Sequence, residues 1–251
     1  MSNENFASSI FQNQMRMTVD EVMTQLEAYG SPTIKNILLK HGVKEPFFGV
    51  KVGDLKVIEK KIKKDYDLAL GLFKTGNADA MYLAGLIADD ARMTKEDLQI
   101  WVEMALSNNI NEYTVPWVCA ASNYGFELGM EWINSDLEHI ATAGWNTLAG
   151  LTALKQDDEL DLDAYRALID RIEKTIHSSK NRERYTMNSF LITVGSSVPA
   201  LTDLAKEAST RIGQVMVDMN GTSCKVPNVI DYIGKVESKG KLGKKKKTLK
   251  C

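Results

Sequence analysis

Apolar residues recur along this chain at the spacing of helix faces. Leu55, Ile58 and Ile62 lie at i, i+3 and i+7, which places them on one stripe of a predicted helix. Residues 18–21 (Thr-Val-Asp-Glu) have the spacing of a capping box, and residues 31–32 (Ser-Pro) place an N-cap before a proline at the first helical position. No alternating pattern is bounded by hairpin turns. The pattern therefore predicts an all-α fold.

The predicted helices are short and follow each other closely. Many have about 10–18 residues with short connections, which favours helix pairs that stack. We expect helices at residues 18–30, 32–41, 54–64, 67–74, 79–88, 94–107, 115–133, 136–154, 162–178, 183–194, 199–217 and 227–237. No crisp repeat consensus is visible, as is typical of degenerate HEAT-like repeats, which stack into an α-α superhelix (a solenoid) with a concave face. The alternative is an irregular helical bundle.

The composition is that of an ordinary globular protein. The 251 residues are 44% hydrophobic and 25% charged, enough for a large core. No apolar run approaches the ~18 residues of a membrane-spanning helix, and the first residues lack the pattern of a signal peptide. The three cysteines (Cys119, Cys224 and Cys251) are widely separated, which favours a reducing compartment. We expect a cytoplasmic protein with no membrane partner.

The net charge of −2 is unevenly distributed. The last thirteen residues, KGKLGKKKKTLKC, hold seven lysines and no acid, so the charge divides into −9 for residues 1–238 and +7 for the end of the chain. A basic tail on an acidic body suits a polyanionic partner. We predict an N-terminal arm (1–14), a HEAT-like repeat domain (15–237) and a Lys-rich C-terminal tail (238–251).

Several segments, in order, resemble the DNA alkylation repair family. Residues 48–56 (FGVKVGDLK) are similar to the family's opening motif, residues 80–90 (AMYLAGLIADD) to its following helix, and residues 111–129 (NEYTVPWVCAASNYGFELG) to its central segment. Trp145 matches a Trp that opens the next repeat, and residues 184–194 match the helix after it. The resemblance covers residues 15–237. It implies a right-handed superhelix of six HEAT-like repeats that holds DNA, and a glycosylase activity in which active members release cationic N3- or N7-alkylated purines.

The resemblance also implies a catalytic Asp one helical turn after a Trp. A carboxylate there stabilises the charge that develops on the sugar, and aromatic faces hold the cationic lesion. The resemblance places Trp117 at the aromatic position and Ala121 at the Asp position, or, in the neighbouring register, Val118 and Ser122 at these two positions. Leu148 stands where the family has an Arg, and Phe190 where it has a further Trp. The chain thus resembles a divergent, non-catalytic branch of the family.

None of the acids near Trp117 in the sequence is at a position equivalent to that of the missing Asp. Glu112 precedes the predicted helix 115–133, while Glu127 and Glu131 lie ten and fourteen residues after Trp117. On a continuous helix Glu127 points away from the face of Trp117, and Glu131 lies roughly 21 Å along the axis. No catalytic residue is therefore assigned.

Aromatic and cationic side chains supply the predicted DNA contacts, with lysines neutralising phosphates. The residues are Trp117, Trp145, Phe190, Lys180, Arg182, Arg184, Lys244, Lys245, Lys246 and Lys247. The alternative for the aromatics is a role as core spacers, and for the tail a solvated end. A further lysine cluster at residues 56–64 is interpreted as an exposed helix face with at most a secondary DNA role.

The leading hypothesis is a DNA-binding protein with little or no base-excision activity, whose partner is duplex, alkylated or branched DNA. The alternatives are an active DNA glycosylase and a HEAT-type protein-interaction scaffold, which the acidic body keeps open. His41, His139 and His177 are isolated, so we expect no metal site. Phosphate-binding loop signatures are also missing, so we expect no cofactor.

Overall fold

The computed structural model describes residues 16–250, and within that range it contains thirteen α-helices and no strand. The all-α prediction is confirmed, and the arm predicted for residues 1–14 lies outside the described residues. The helices are α1 (Val19–Ala28), α2 (Pro32–Lys40), α3 (Val52–Ile62), α4 (Tyr66–Lys74), α5 (Ala78–Ile87), α6 (Lys95–Met104), α7 (Val115–Ala121), α8 (Gly125–Trp132), α9 (Glu138–Leu154), α10 (Leu162–Thr175), α11 (Asn181–Ser197), α12 (Thr202–Ile212) and α13 (Val229–Ser238).

Local capping signals place several helix starts. Thr18 caps α1 in a complete capping box with Glu21, and Thr94 caps α6 in one with Asp97. The helix predicted from residue 199 begins as α12 at Thr202, and Gly213 ends it in the left-handed region at φ +71°. The starts predicted at Thr18 and Thr94 agree with the structure to within one residue, because these caps act within one turn of the helix. The helix predicted at residues 199–217 is shorter than predicted at both ends.

The single helix predicted at residues 115–133 is wrong. Two helices, α7 and α8, replace it, because Ser122 is extended (ψ 175°) and uses its hydroxyl to donate to the carbonyl of Cys119 and to accept from the amide of Tyr124. The phase calculated for Glu127 on a continuous helix therefore does not apply. Glu127 lies on α8 and forms an ion pair with Lys95.

The described chain forms two compact units. The first contains residues 16–38 and Glu45–Asp89, and the second contains Leu39–Lys44 and residues 90–250. In the first unit α5 is buried along its whole length and packs against α1, α3 and α4. The second unit is built around α9, which packs against α7, α8 and α11, while α11 also contacts α12 and α13.

One carboxylate organises the loop between α2 and α3 in the first unit. Asp79, 4% exposed on α5, accepts hydrogen bonds from the backbone amides of Phe48 (2.7 Å), Gly49 (2.9 Å) and Val50 (3.2 Å). Burial raises the pKa of Asp79, and the three amide donors oppose that shift. Gly49 is at φ +83°, and a Cβ there would lie 2.6 Å from the amide nitrogen of Lys35. The Phe-Gly-Val motif is thus a loop that requires a glycine and an acid thirty residues later.

The Lys-rich end of the chain packs onto the second unit. The amide of Gly243 donates to the carbonyl of Ser196 (2.9 Å), and that of Lys246 donates to the carbonyl of Ala153 (2.7 Å). Lys245 donates to the carbonyls of Thr152 and Ser197, each at 2.8 Å, and to Asp157 at 2.6 Å. The tail therefore satisfies carbonyls at the C-terminal ends of both α9 and α11, which lack donor partners within their own helices.

Candidate nucleic-acid interface

A π-helical turn, Ile110–Thr114, leads into α7 and contacts α9. It buries Asn111 and Glu112, each 3% exposed, and leaves Tyr113 42% exposed. Wide turns of this kind occur often at functional sites because they redirect side chains that a regular helix would point elsewhere. No pattern in the sequence predicts this turn, which places Glu112 in the interior.

Five side chains around this turn form a cluster, here named the Trp117 cluster: Glu112, Tyr113, Trp117, Arg182 and Tyr185. The rings of Tyr113 and Trp117 are 6.1 Å apart, and the guanidinium of Arg182 lies 4.4 Å from the ring centre of Tyr185. Burial raises the pKa of the hydroxyls of both Tyr113 and Tyr185. Trp117 is only 8% exposed, so Tyr113 offers the larger aromatic surface. Sequence reasoning missed both tyrosines, although Tyr113 lies at helical spacing from Trp117.

Glu112 and Arg182 form a buried ion pair within this cluster. Their Oε1 and Nε atoms are 2.6 Å apart, and the side chains are 2% and 17% exposed. Burial raises the pKa of the Glu112 carboxyl, while Arg182 opposes the shift. Breaking such a pair leaves a buried charge without a partner. Arg182, predicted as a DNA contact, is therefore committed to Glu112.

The resemblance assigns the family's Asp position to Ala121 or Ser122, and neither of these side chains is an acid. Ala121 is the last residue of α7 and is exposed. Ser122 is buried and uses its hydroxyl in the two local bonds that end α7. Leu148 is fully buried on α9, where it contacts Gly129 closely. In both registers the structure places no acid one turn after Trp117.

Trp145 and Phe190 belong to the core of the second unit. Both are fully buried, and their rings meet edge to face with centroids 5.5 Å apart. Phe190 also stacks on Tyr165, whose hydroxyl donates to the carbonyl of Leu148. Neither ring presents surface to a ligand. The structure favours the core-spacer interpretation for these two residues over a DNA contact.

The other side chains predicted to contact DNA differ in their exposure to solvent. Lys180 is exposed at the start of α11 and donates to the carbonyl of Asp136, and Arg184 is half-buried one turn later. In the tail, Lys245 is 10% exposed with three acceptors, so it has no N–H group left for a phosphate. Its neighbours Lys244, Lys246 and Lys247 are exposed.

An all-helical fold of packed helix pairs with this cluster of aromatic residues places the chain among the HEAT-like repeat proteins. The chain belongs to the DNA alkylation repair enzyme family, whose model matches residues 22–210. An uncharacterized protein of Listeria innocua is 31% identical over 229 residues, covering 89% of this chain and 99% of its own length. An uncharacterized protein of Listeria monocytogenes is 30% identical over 231 residues, covering 90% and 100%.

A solved structure is also similar over nearly the whole chain. It is described as a new family of proteins related to the HEAT-like repeat DNA glycosylases, with affinity for branched DNA structures. It is 34% identical, superposes with a TM-score of 0.86, and covers 94% of this chain and 100% of its own. The HEAT-like fold expected from the sequence is therefore confirmed.

Three further findings concern membrane spans, metal ligands and cysteines. Across residues 16–250, no helix is both long and apolar enough to cross a membrane. Within the same residues, no group of three or more His, Cys, Asp or Glu side chains is placed to hold a metal ion. Cys119 is buried and Cys224 is exposed, and both are free thiols.

Proposed function

We propose that this protein binds branched DNA without excising bases. The observation that carries the proposal is the similarity to a protein with affinity for branched DNA. The proposed absence of excision rests on Ala121 and Ser122, neither of which is an acid, at the position that the resemblance assigns to the catalytic Asp. Glu112 is the buried acid of the Trp117 cluster, and it forms an ion pair with Arg182. The scaffold is thus retained where the reactive group is not, since function resides in sites and not in folds.

The proposed phosphate contacts are the exposed lysines of the tail together with Lys180 and Arg184. Lys245 anchors the tail, so Lys244, Lys246 and Lys247 are held in place beside it. Cations that are already ordered lose less conformational entropy on binding than those on a free arm. The +7 charge of the last thirteen residues also offsets the −9 of the body, which would otherwise repel DNA.

We expect binding to a four-way junction that weakens steeply with salt. Each lost phosphate contact lowers the slope of log K against log salt by about 0.9, so Lys246→Gln with Lys247→Gln lowers it by about 2. Fluorescence anisotropy over a salt series measures this slope, with a duplex of equal length as the reference DNA. Replacing Lys60 and Lys61 on α3 by Gln gives the same charge change as a control and leaves the slope unchanged. No binding to junction or duplex at the lowest salt refutes the proposal.

We expect no release of alkylated purines above the spontaneous rate. Without a carboxylate near the sugar, nothing in the Trp117 cluster stabilises the developing positive charge, because Glu112 is paired. Incubation with methylated DNA and chromatography of 3-methyladenine and 7-methylguanine measures the release. Release that is lost in Trp117→Ala restores the glycosylase alternative.

The similarity to a protein with affinity for branched DNA favours DNA binding over a protein-interaction scaffold.

We place the protein in the cytoplasm as part of the same proposal. Its two described cysteines are unpaired although one of them is exposed, which suits a reducing compartment.

A further inference from the structure

A polar cavity of about 320 Å³ lies in the second unit, beside the N-terminal ends of α9 and α11. Its volume is at the lower end of the range for small-molecule sites, roughly 300–1,000 Å³. Polar and charged side chains dominate its lining. They include Lys44, Asn111, Glu138, His139, Thr142 and Arg182.

Three lining side chains have buried polar atoms that no protein group satisfies. These atoms are Oδ1 of Asn111, Nε2 of His139 and Oγ1 of Thr142. Asn111 is 3% exposed and Thr142 is fully buried. Buried polar atoms are nearly always hydrogen-bonded, so three orphans around one cavity indicate a ligand that completes them.

The chemistry of the three atoms can be assigned from their neighbours. The amide nitrogen of Asn111 donates to the carbonyl of Ala105 at 2.9 Å, which leaves Oδ1 as a free acceptor. The other ring nitrogen of His139 donates to the carbonyl of Glu103, and burial lowers the pKa of the ring, so Nε2 is an acceptor at neutral pH. Thr142 lies three residues after His139 on the same face of α9, and its hydroxyl can donate. The cavity thus offers two acceptors and one hydroxyl.

We propose that this cavity binds the Watson–Crick edge of an unpaired guanine. Guanine presents two adjacent donors, N1–H and N2–H, beside the O6 acceptor, which complements two acceptors and one hydroxyl. Thymine presents a single donor and leaves one of the acceptors unsatisfied. Lys44 is exposed at the cavity and carries a charge that suits the phosphate of a nucleotide. Only the DNA source of the base rests on the proposed function; the match to guanine does not.

Free nucleosides test the cavity without any DNA. The chain has three histidines, so the ring signals of His139 are readily assigned by NMR. Guanosine is expected to shift the His139 Nε2 resonance saturably. Inosine, which lacks the N2 amino group, is expected to bind roughly tenfold more weakly, and thymidine to give no shift. Absence of a guanosine-dependent shift, or equal shifts with all three nucleosides, overturns the proposal and leaves the cavity to water.

An isosteric variant separates recognition from folding. Thr142→Val removes an unpartnered hydroxyl, so it is expected to weaken guanosine binding roughly tenfold without lowering the melting temperature. Thr147→Val, buried on the same helix but outside the cavity, is the matched control and leaves guanosine affinity unchanged. Unchanged guanosine affinity in Thr142→Val contradicts the assignment.

A junction with one unpaired base at the branch identifies the source of the guanine. Tighter binding of unpaired guanine than of unpaired thymine, lost in Thr142→Val, assigns the cavity to DNA. Guanosine binding without that preference assigns it to a free nucleoside or nucleotide. Failure of junction binding with a retained guanosine shift refutes the proposed function alone, and junction binding without a guanosine shift refutes this inference alone.

Discussion

Asp79→Ala is expected to lower the free energy of unfolding of the first unit by about 3 kcal/mol. The substitution leaves the amides of Phe48, Gly49 and Val50 without their acceptor, and the last two of these donors are buried. An unsatisfied buried donor costs about 1–3 kcal/mol, so the three together exceed the effect of most single substitutions. Urea unfolding followed by circular dichroism measures the loss.

Asp54→Ala provides the matched control for this prediction. Asp54 also lies in the first turn of a helix, α3, but the N-cap of that helix makes no side-chain hydrogen bond. Its removal is expected to cost below about 1 kcal/mol through the helix dipole alone. Equal losses in the two variants would show that Asp79 acts through its charge and not through the three amide bonds.

The contrast between Thr18 and Asp79 shows where sequence reasoning succeeds. Thr18 acts on an amide three residues away, so its capping box is visible in the sequence and is present in the structure. Asp79 acts on amides some thirty residues away, and nothing local marks it as their acceptor. The Phe-Gly-Val motif is recognisable by resemblance, but its physical reason depends on the packing of α5, which brings Asp79 to the loop.

The candidate site shows the same limit. The absence of a catalytic carboxylate stays a prediction from the sequence, since neither Ala121 nor Ser122 is an acid in any conformation. The pairing of Glu112 with Arg182, seventy residues away, depends on a π-helical turn that the hydrophobic pattern does not reveal. The burial of Trp145 and Phe190 depends likewise on how α9 and α11 meet.

The tail also departs from its sequence pattern, since a run of four lysines favours a solvated end. In the structure the side chain of one of the four, Lys245, is largely buried against the second unit. Four carbonyls at the ends of α9 and α11 accept hydrogen bonds from residues 243–246. A cation near these helix ends also interacts favourably with their dipoles. Leu249 adds apolar contact beside Gly150, where a Cβ would lie 2.6 Å from its Cδ1 and would displace the end of that side chain.

Ending the chain at Ser238 is expected to destabilise the second unit by about 3 kcal/mol, and Lys245→Met by about 2 kcal/mol. The truncation removes both the hydrogen bonds from the tail to the helix carbonyls and the apolar contact of Leu249. Lys245→Met removes only the ammonium and its three hydrogen bonds. For a chain of this size, about 2 kcal/mol lowers the melting temperature by about 4–8 °C. Thermal unfolding followed by circular dichroism measures both changes.

Lys247→Met is the control that separates the two roles of the tail. Lys247 is exposed, so its loss is expected to leave the melting temperature unchanged while reducing the salt dependence of junction binding. Lys245→Met should do the opposite at temperatures where the variant stays folded, lowering the melting temperature and preserving the salt slope. A melting temperature that is the same in Lys245→Met and wild type would mean that the tail does not stabilise α9 and α11. The exposed lysines would then contact phosphates from a free arm and not from an ordered tail.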